Sequence, residues 1–306
     1  MRVLVIGIVF TDIKGFPFSK YDPLGTNKGE VLITHGGVSR NVAEDMAALG
    51  AEVGFLTIFD DTPLGLDMRT HLDECGVDLN HVLTVPDGGM GMWLAVFDES
   101  GNLAGSVSKA PDVAPLEEAL RLHGDALFRD VDAVVAEFDT SEETARLCCE
   151  LSRKYKKPLY VIVGNMGVIL RDKKRMSLCD CVIMNEIEAG RLFDARLLDL
   201  SPENALDTVS RKAQGLGIRR IIVTMGKNGC VYADFDTGEK GTVPALPCRV
   251  VDTTGAGDSF FSEAVLSLTA GMGLKQACER GARIAARVVQ TGQSVCTKED
   301  ARTLDE

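Results

Sequence analysis

The 306-residue chain carries a formal net charge of −12 and 45% apolar residues, with nine cysteines, ten prolines and one tryptophan. That is ample material for the core of one large α/β domain and excludes a disordered or fibrous chain. The acidic balance also disfavours a nucleic-acid partner, because the dense basic runs, RKYKK (153–157) and RDKKR (171–175), read as solvated helix ends or loops rather than a basic stripe.

The opening MRVLVIGIVF is too short to span a bilayer and meets Asp12 and Lys14 at once. It predicts a buried first strand (2–9) rather than a signal peptide or a membrane contact. Residues 10–35 read as loop, with Pro17, Pro23 and Gly25, and close on EVLIT. A helix is predicted over 39–50, a strand over 52–58 and a second helix over 64–76. Within 89–108, two strand-like runs flank Asp98-Glu-Ser-Gly101, a hairpin turn. There follow a strand (132–138), a helix (141–155), strands at 158–164 and 181–185, a helix (202–217) and a strand (219–225).

Most of these strands are rich in Val and Ile and apolar on both faces, as parallel strands covered on both sides must be. The alternation predicts an α/β fold: a doubly wound, mainly parallel sheet flanked by helices, in a single domain over 1–306. The two segments that break the rhythm, at about 10–35 and 89–108, are expected to form a small antiparallel β lid over a site. A decorative edge hairpin is the other reading. The nine cysteines show no CxxC and no zinc-site spacing, which suggests free thiols in a reducing compartment and a cytoplasmic protein.

The stretch VVDTTGAGDSFFSEA (250–264) carries the chemistry. Gly255-Ala256-Gly257 permits a tight turn whose N–H groups point one way, at the start of a strongly helical run. The helix dipole then favours an anion there. Asp258 beside such a site has two uses, as a helix cap or as the acceptor of a proton from a hydroxyl that attacks a bound phosphate. Turn chemistry leaves both open. There is no GxxxxGK[ST] loop, and GAGDSF lacks the third glycine of the dinucleotide fingerprint.

DTTGAGDSF (252–260) resembles the C-terminal signature of the PfkB, or ribokinase-like, carbohydrate kinases. Three further motifs follow the same family's order along the chain: HGGVSRNVAEDMAALG (35–50), Asn185-Glu-Ile-Glu188 after an inner strand, and Thr224-Met-Gly226-Lys-Asn-Gly229. The resemblance implies an ATP-dependent kinase that phosphorylates a hydroxymethyl group of a sugar or nucleoside. It implies Asp258 as the base, and Gly255, Ala256 and Gly257 as an anion hole for the phosphoryl group. Asp252 would hold an acceptor hydroxyl or help seat a monovalent cation such as K⁺. Asp12 would match the first-strand aspartate that grips sugar hydroxyls, joined by Gly36, Gly37 and Asn41. Glu137 and Asp139 fall where the family places a sugar-facing acidic residue. Asn185 and Glu188 would organise Mg²⁺ through water, and Thr224, Gly226 and Gly229 would line ATP. The lid would also supply a homodimer interface.

GGVSRN, with Arg40 before Asn41, resembles the pseudouridine kinases most, which makes pseudouridine the favoured acceptor. Arg40 also reads as a helix surface charge. Ribokinase, fructokinase or another nucleoside kinase is the alternative, and a non-catalytic sugar- or nucleotide-binding regulator is a third reading from another class. Three departures bear on specificity: SVSKAPDV (106–113) lacks an Asn-Asp pair, Gly164 stands where relatives carry aspartate, and Ser262-Glu263 replaces a small pair in the helix after the base. Glu263 is expected to point to solvent through a local shift or to tune the site.

Overall fold

The computed structural model describes residues 1–86 and 89–304, so the last two residues of the expected domain lie outside the described residues. The first half of the chain forms β1 (Arg2–Ile6), β2 (Phe10–Pro17), β3 (Gly29–Gly36), α1 (Val38–Ala48), β4 (Glu52–Leu56), β5 (Ile58–Asp60), α2 (Pro63–Glu74), β6 (Leu83–Val85), β7 (Gly91–Phe97), β8 (Leu103–Lys109), α3 (Ala114–Arg129) and β9 (Ala133–Glu137). Then come α4 (Glu142–Tyr155), β10 (Leu159–Ile162), α5 (Gly167–Arg171), β11 (Val182–Asn185), α6 (Glu186–Phe193), α7 (Pro202–Gly215), β12 (Arg220–Thr224), β13 (Cys230–Asp234), β14 (Lys240–Val243), α8 (Ala256–Thr269), α9 (Leu274–Val288) and α10 (Lys298–Arg302).

Strands β4-β1-β9-β10 pair in parallel, and a parallel bridge between Tyr160 and Cys181 joins them to β11-β12-β13-β14. Pairing is parallel through β12 and turns antiparallel at β13 and β14. The pleat sends successive side chains to opposite faces. Leu4, Ile6, Val134 and Ala136 therefore join one buried cluster, and Val3, Val5, Ala133 and Val135 join another. Both faces are covered, which is why these strands read as continuous apolar runs rather than alternating ones.

A second sheet has the order β3-β2-β7-β8. Its outer pairs are antiparallel and its central pair, β2 with β7, is parallel. The turn after β7 forms as expected: Asp98 Oδ1 accepts from the N–H groups of Ser100 and Asn102, and the Asp98 N–H donates to the Asn102 carbonyl. Residues 10–35, expected as loop, instead hold the long strands β2 and β3. The apolar signal there is weak because one face of this sheet is polar. The predicted first strand also breaks at Ile6, so Asp12 sits in β2 and not in the first strand of the main sheet.

Helix α8 lies between α1 and α9. Phe260, Phe261, Ala264, Val265 and Leu268 are buried in the core. Each large side chain among them stabilises the packed helix by about 1.5–3 kcal/mol. Glu263 is also buried, only 3% exposed, which overturns the expectation that it points to solvent. Arg280 Nε of α9 donates to Glu263 Oε1 at 2.5 Å, and Ser267 Oγ donates to the same oxygen at 2.9 Å. The charge is thus used to fasten α9 onto α8.

Candidate active site

Gly255 is the residue before α8 and lies in the left-handed region at φ 77°. A Cβ there would strike the backbone of Ser294, so only glycine lets the chain turn so close to that loop. No side chain caps α8. The amides of Gly257 and Asp258, in the first turn, have no carbonyl one turn back within the helix to bond. The Ala256 N–H bends back toward the Thr253 carbonyl at 3.4 Å.

Asp258 does not serve as the cap. Its Oδ2 accepts a hydrogen bond from Asn41 Nδ2 at 2.6 Å, across from α1. Burial pushes the carboxyl up to about 6, against the Asn41 hydrogen bond and the Arg40 charge, which hold it down. A carboxylate left at its ordinary value near 4 would be a much weaker proton acceptor. Asn41 Oδ1 is buried with no partner among the described residues.

Asp258 borders two cavities. The larger, about 460 Å³, is lined by Asp12, Lys14, His35, Gly36, Gly37, Arg40, Asn41, Glu137, Asn165, Asp252, Thr254, Gly255 and Asp258, among others. The smaller, about 90 Å³, includes Asn185, Glu188, Thr224, Gly257, Asp258 and Phe261. The fold thus brings the four separated motifs to one carboxylate.

In the larger cavity the second sheet supplies Asp12. Burial raises its carboxyl above the ordinary value, opposed by Lys14 and Arg40. A side chain at Gly36 would meet the Asp12 carboxylate, so that glycine keeps the approach open. Glu137, at the end of β9, accepts from Ser39 Oγ at 2.6 Å and from the Ile8 N–H at 3.2 Å through one oxygen, Oε2. Burial also raises its carboxyl, against those two bonds. Asp252 Oδ1 accepts from the Thr254 N–H and hydroxyl. Arg40 is 3% exposed and not a surface charge: its guanidinium donates to Glu44 Oε2 at 2.7 Å and to the His35 carbonyl.

Around the smaller cavity, Asn185 and Glu188 form a capping box at the start of α6. The Asn185 side chain accepts from the N–H groups of Ile187 and Glu188, and Glu188 Oε2 accepts from the Asn185 N–H at 2.8 Å. Burial raises the Glu188 carboxyl, and the Asp258 charge adds to the rise.

Three expected site residues are used elsewhere. Asp139 accepts from the N–H groups of Gly164, Met166 and Val168, so it holds the loop after β10 and does not face the larger cavity. Gly226 and Gly229 make the turn between β12 and β13, and a side chain at Gly229 would strike the Val243 carbonyl. Neither lines either of these two cavities, whereas Thr224 lines the smaller. Gly164 lies in the loop after β10, and its N–H donates to Asp139 Oδ2 at 3.2 Å.

Sequence reading missed Lys14, Asn165 and Ser294, which no local pattern marks, and gave no role to His35 although it opens one of the quoted motifs. It also missed Asp45. This fully buried residue accepts from Ser259 Oγ at 2.9 Å and the Cys296 N–H at 2.6 Å, tying α1 to the residue after Asp258. A buried Asp inside an otherwise apolar helical face was the only available signal.

The chain is similar to known proteins along most of its length. A model of the pfkB family carbohydrate kinases matches residues 1–300. A guanosine-inosine kinase of Exiguobacterium acetylicum is 35% identical over 293 residues, 96% of each chain. A pseudouridine kinase of Escherichia coli (strain K12) is 26% identical over 261 residues, 85% of this chain and 81% of that one. The structure of Arabidopsis thaliana ribokinase complexed with ribose and ATP superposes with a TM-score of 0.83, covering 99% of this chain and 98% of that one at 19% identity. With the family model matched along nearly its whole length, the chain belongs to the PfkB family of carbohydrate kinases.

Proposed function

We propose that this sugar or nucleoside kinase transfers a phosphoryl group from ATP to the hydroxymethyl group of a nucleoside, with guanosine and inosine ahead of pseudouridine. The observation that carries the chemistry is the Asn41–Asp258 pair at 2.6 Å, set at the start of α8 where two cavities meet. The acceptor order rests on similarity: the guanosine-inosine kinase is 35% identical and the pseudouridine kinase 26%. Pseudouridine is kept as the second reading because of Arg40 in GGVSRN.

In this reading the acceptor lies in the larger cavity. Asp12, Glu137 and Asp252 accept hydrogen bonds from its hydroxyls, and Asn41 Oδ1, which lacks a partner among the described residues, accepts another. The attacking oxygen bonds to phosphorus, the bond from phosphorus to the ADP oxygen breaks, and the proton passes to Asp258. A loose transition state asks little of the base but much of positioning and charge stabilisation. The first-turn amides of α8 supply the latter.

Mg²⁺ fits the smaller cavity: Asn185, Glu188 and Asp258 line it with side-chain oxygens, and hard oxygen donors suit that ion. Glu188 would hold it through water with Asn185 beside it, and the ion would neutralise phosphate charge. K⁺ near Asp252 belongs to the same proposal, with the carboxylate as its hard oxygen donor.

The second sheet acts as the lid. Pairing aligns Thr34, Asp12, Trp93 and Ser108 on the face toward the cavity, and Ile33, Ile13, Leu94 and Val107 on the opposite face. Ile33, Leu94 and Val107 are 57%, 44% and 68% exposed. A second copy of the chain covers this row, and Val107→Lys is expected to yield monomers in sedimentation. The acceptor test is an ATP-consumption panel of guanosine, inosine, pseudouridine, uridine, adenosine, ribose and fructose. Turnover is expected to be highest with guanosine or inosine. Turnover with free sugars alone would overturn the nucleoside assignment.

A further inference from the structure

Beside the larger cavity, α1 and α2 bring together three donor atoms of different chemistry. Glu44 Oε2 lies 3.0 Å from His71 Nε2, which lies 3.7 Å from Cys75 Sγ. All three fall within 4.8 Å of one another. His71 and Cys75 are four residues apart at the end of α2, so one helix face presents both. Glu44 approaches from α1. Its side chain is 10% exposed and that of His71 35%, which leaves the cluster one open side.

The spacing suits a tetrahedral ion. Metal–donor bonds of about 2.0–2.3 Å put an imidazole nitrogen roughly 3.3 Å from a carboxylate oxygen and roughly 3.6 Å from a thiolate. The observed separations differ from these by a few tenths of an ångström. A nitrogen, oxygen and sulfur set selects zinc or cobalt over magnesium or calcium. The surroundings supply outer support as well. Arg40 Nη1 donates to Glu44 Oε2 at 2.7 Å, and the His35 ring packs on His71 with centroids 4.6 Å apart. Ligating carboxylates are ordinarily hydrogen-bonded by such neighbours as Arg40.

We propose that Glu44, His71 and Cys75 bind a zinc-class divalent cation, with water as the fourth ligand. A metal–sulfur bond forms, the Cys75 S–H bond breaks, and the proton leaves to solvent with no change of oxidation state. In the free protein, burial and the Glu44 charge push the Cys75 thiol up to about 11. A divalent ion reverses that balance. Arg40 and His35 also line the larger cavity, so the ion shares Glu44 with a residue of the acceptor site. Occupancy is expected to change the acceptor KM and to leave the ATP KM unchanged. That consequence rests on the proposed function, whereas ion binding does not.

The test is to titrate Co²⁺ into the nucleotide-free full chain with Mg²⁺ in excess. One equivalent is expected to produce tetrahedral visible absorption and a thiolate-to-cobalt charge-transfer band. Cys75→Ser is expected to abolish that band and His71→Gln to abolish the tetrahedral spectrum. The absence of a charge-transfer band at one equivalent, or its survival in Cys75→Ser, would overturn the site. Zn²⁺ is expected to raise the Tm of the parent and of neither variant. This second readout covers a variant that folds poorly, and an equal rise in both variants counts against the site. An acceptor KM unmoved by bound ion would overturn the coupling through Arg40.

Discussion

Two carboxylates on α8, less than two turns apart, are matched to opposite partners. Asp258 meets a neutral amide, Asn41, and borders both cavities. Glu263 meets the Arg280 guanidinium and the Ser267 hydroxyl in the core. A neutral partner orients a carboxylate while leaving it able to take a proton, and here burial raises its affinity for one. A cationic partner cancels the charge and turns the carboxylate into a fastening. The same helix thus carries a carboxylate open to both cavities at its start and a fastened one a turn later, distinguished by what each faces.

The sharpest way to break this comparison is to exchange chemistry for stability. Asp258→Asn is expected to lower kcat by about 10²–10⁴, or roughly 3–5 kcal/mol, with little change in the urea midpoint. Near-normal turnover would remove Asp258 as the base. Arg280→Ala is expected to do the converse, destabilising the fold by about 3–5 kcal/mol because it leaves a buried carboxylate without its guanidinium. Its folded fraction is expected to keep the parent kcat. A loss of kcat without a loss of stability would place Glu263 in the chemistry.

A smaller effect is expected at the other side of the larger cavity. Asp12→Ala is expected to raise the acceptor KM about 10- to 100-fold, the range of a lost charge-assisted hydrogen bond, and to spare the ATP KM. An effect confined to ATP would put Asp12 against the wrong substrate. The finest test is the pH profile. Only the ionised base accepts a proton, so kcat/KM is expected to fall as pH drops through about 6. The Asn41 hydrogen bond favours the ionised form, so Asn41→Ala is expected to move that limb to higher pH by up to about one unit. A shift to lower pH would show that Asn41 does not act on Asp258 in this way.

Much of the main sheet was legible because strands covered on both faces must be continuously apolar, and β1, β4, β9, β10, β11 and β12 all announce themselves. The short strands β13 and β14 and the helices α3 and α9 passed unread. Residues 10–35 looked like loop because prolines and a half-polar face of the second sheet mask the strands. In the site, the glycines and Asp258 were legible as local turn chemistry and as a family pattern. The same pattern named Asp139, Gly226 and Gly229, whose contacts lie with nearby backbone and which line neither of the two cavities.

The sequence alone determined the turn at Gly255, the helix behind it and the presence of an acidic group at that helix start, because these are short-range consequences of φ/ψ freedom and periodicity. Only the tertiary structure decided what each acid does. Asn41 reaches Asp258 across 217 positions, Asp45 reaches Cys296 across 251, and Arg280 reaches Glu263 from the neighbouring helix. A carboxylate's proton affinity and role depend on burial and on the group opposite, and neither is a property of its neighbours in the chain.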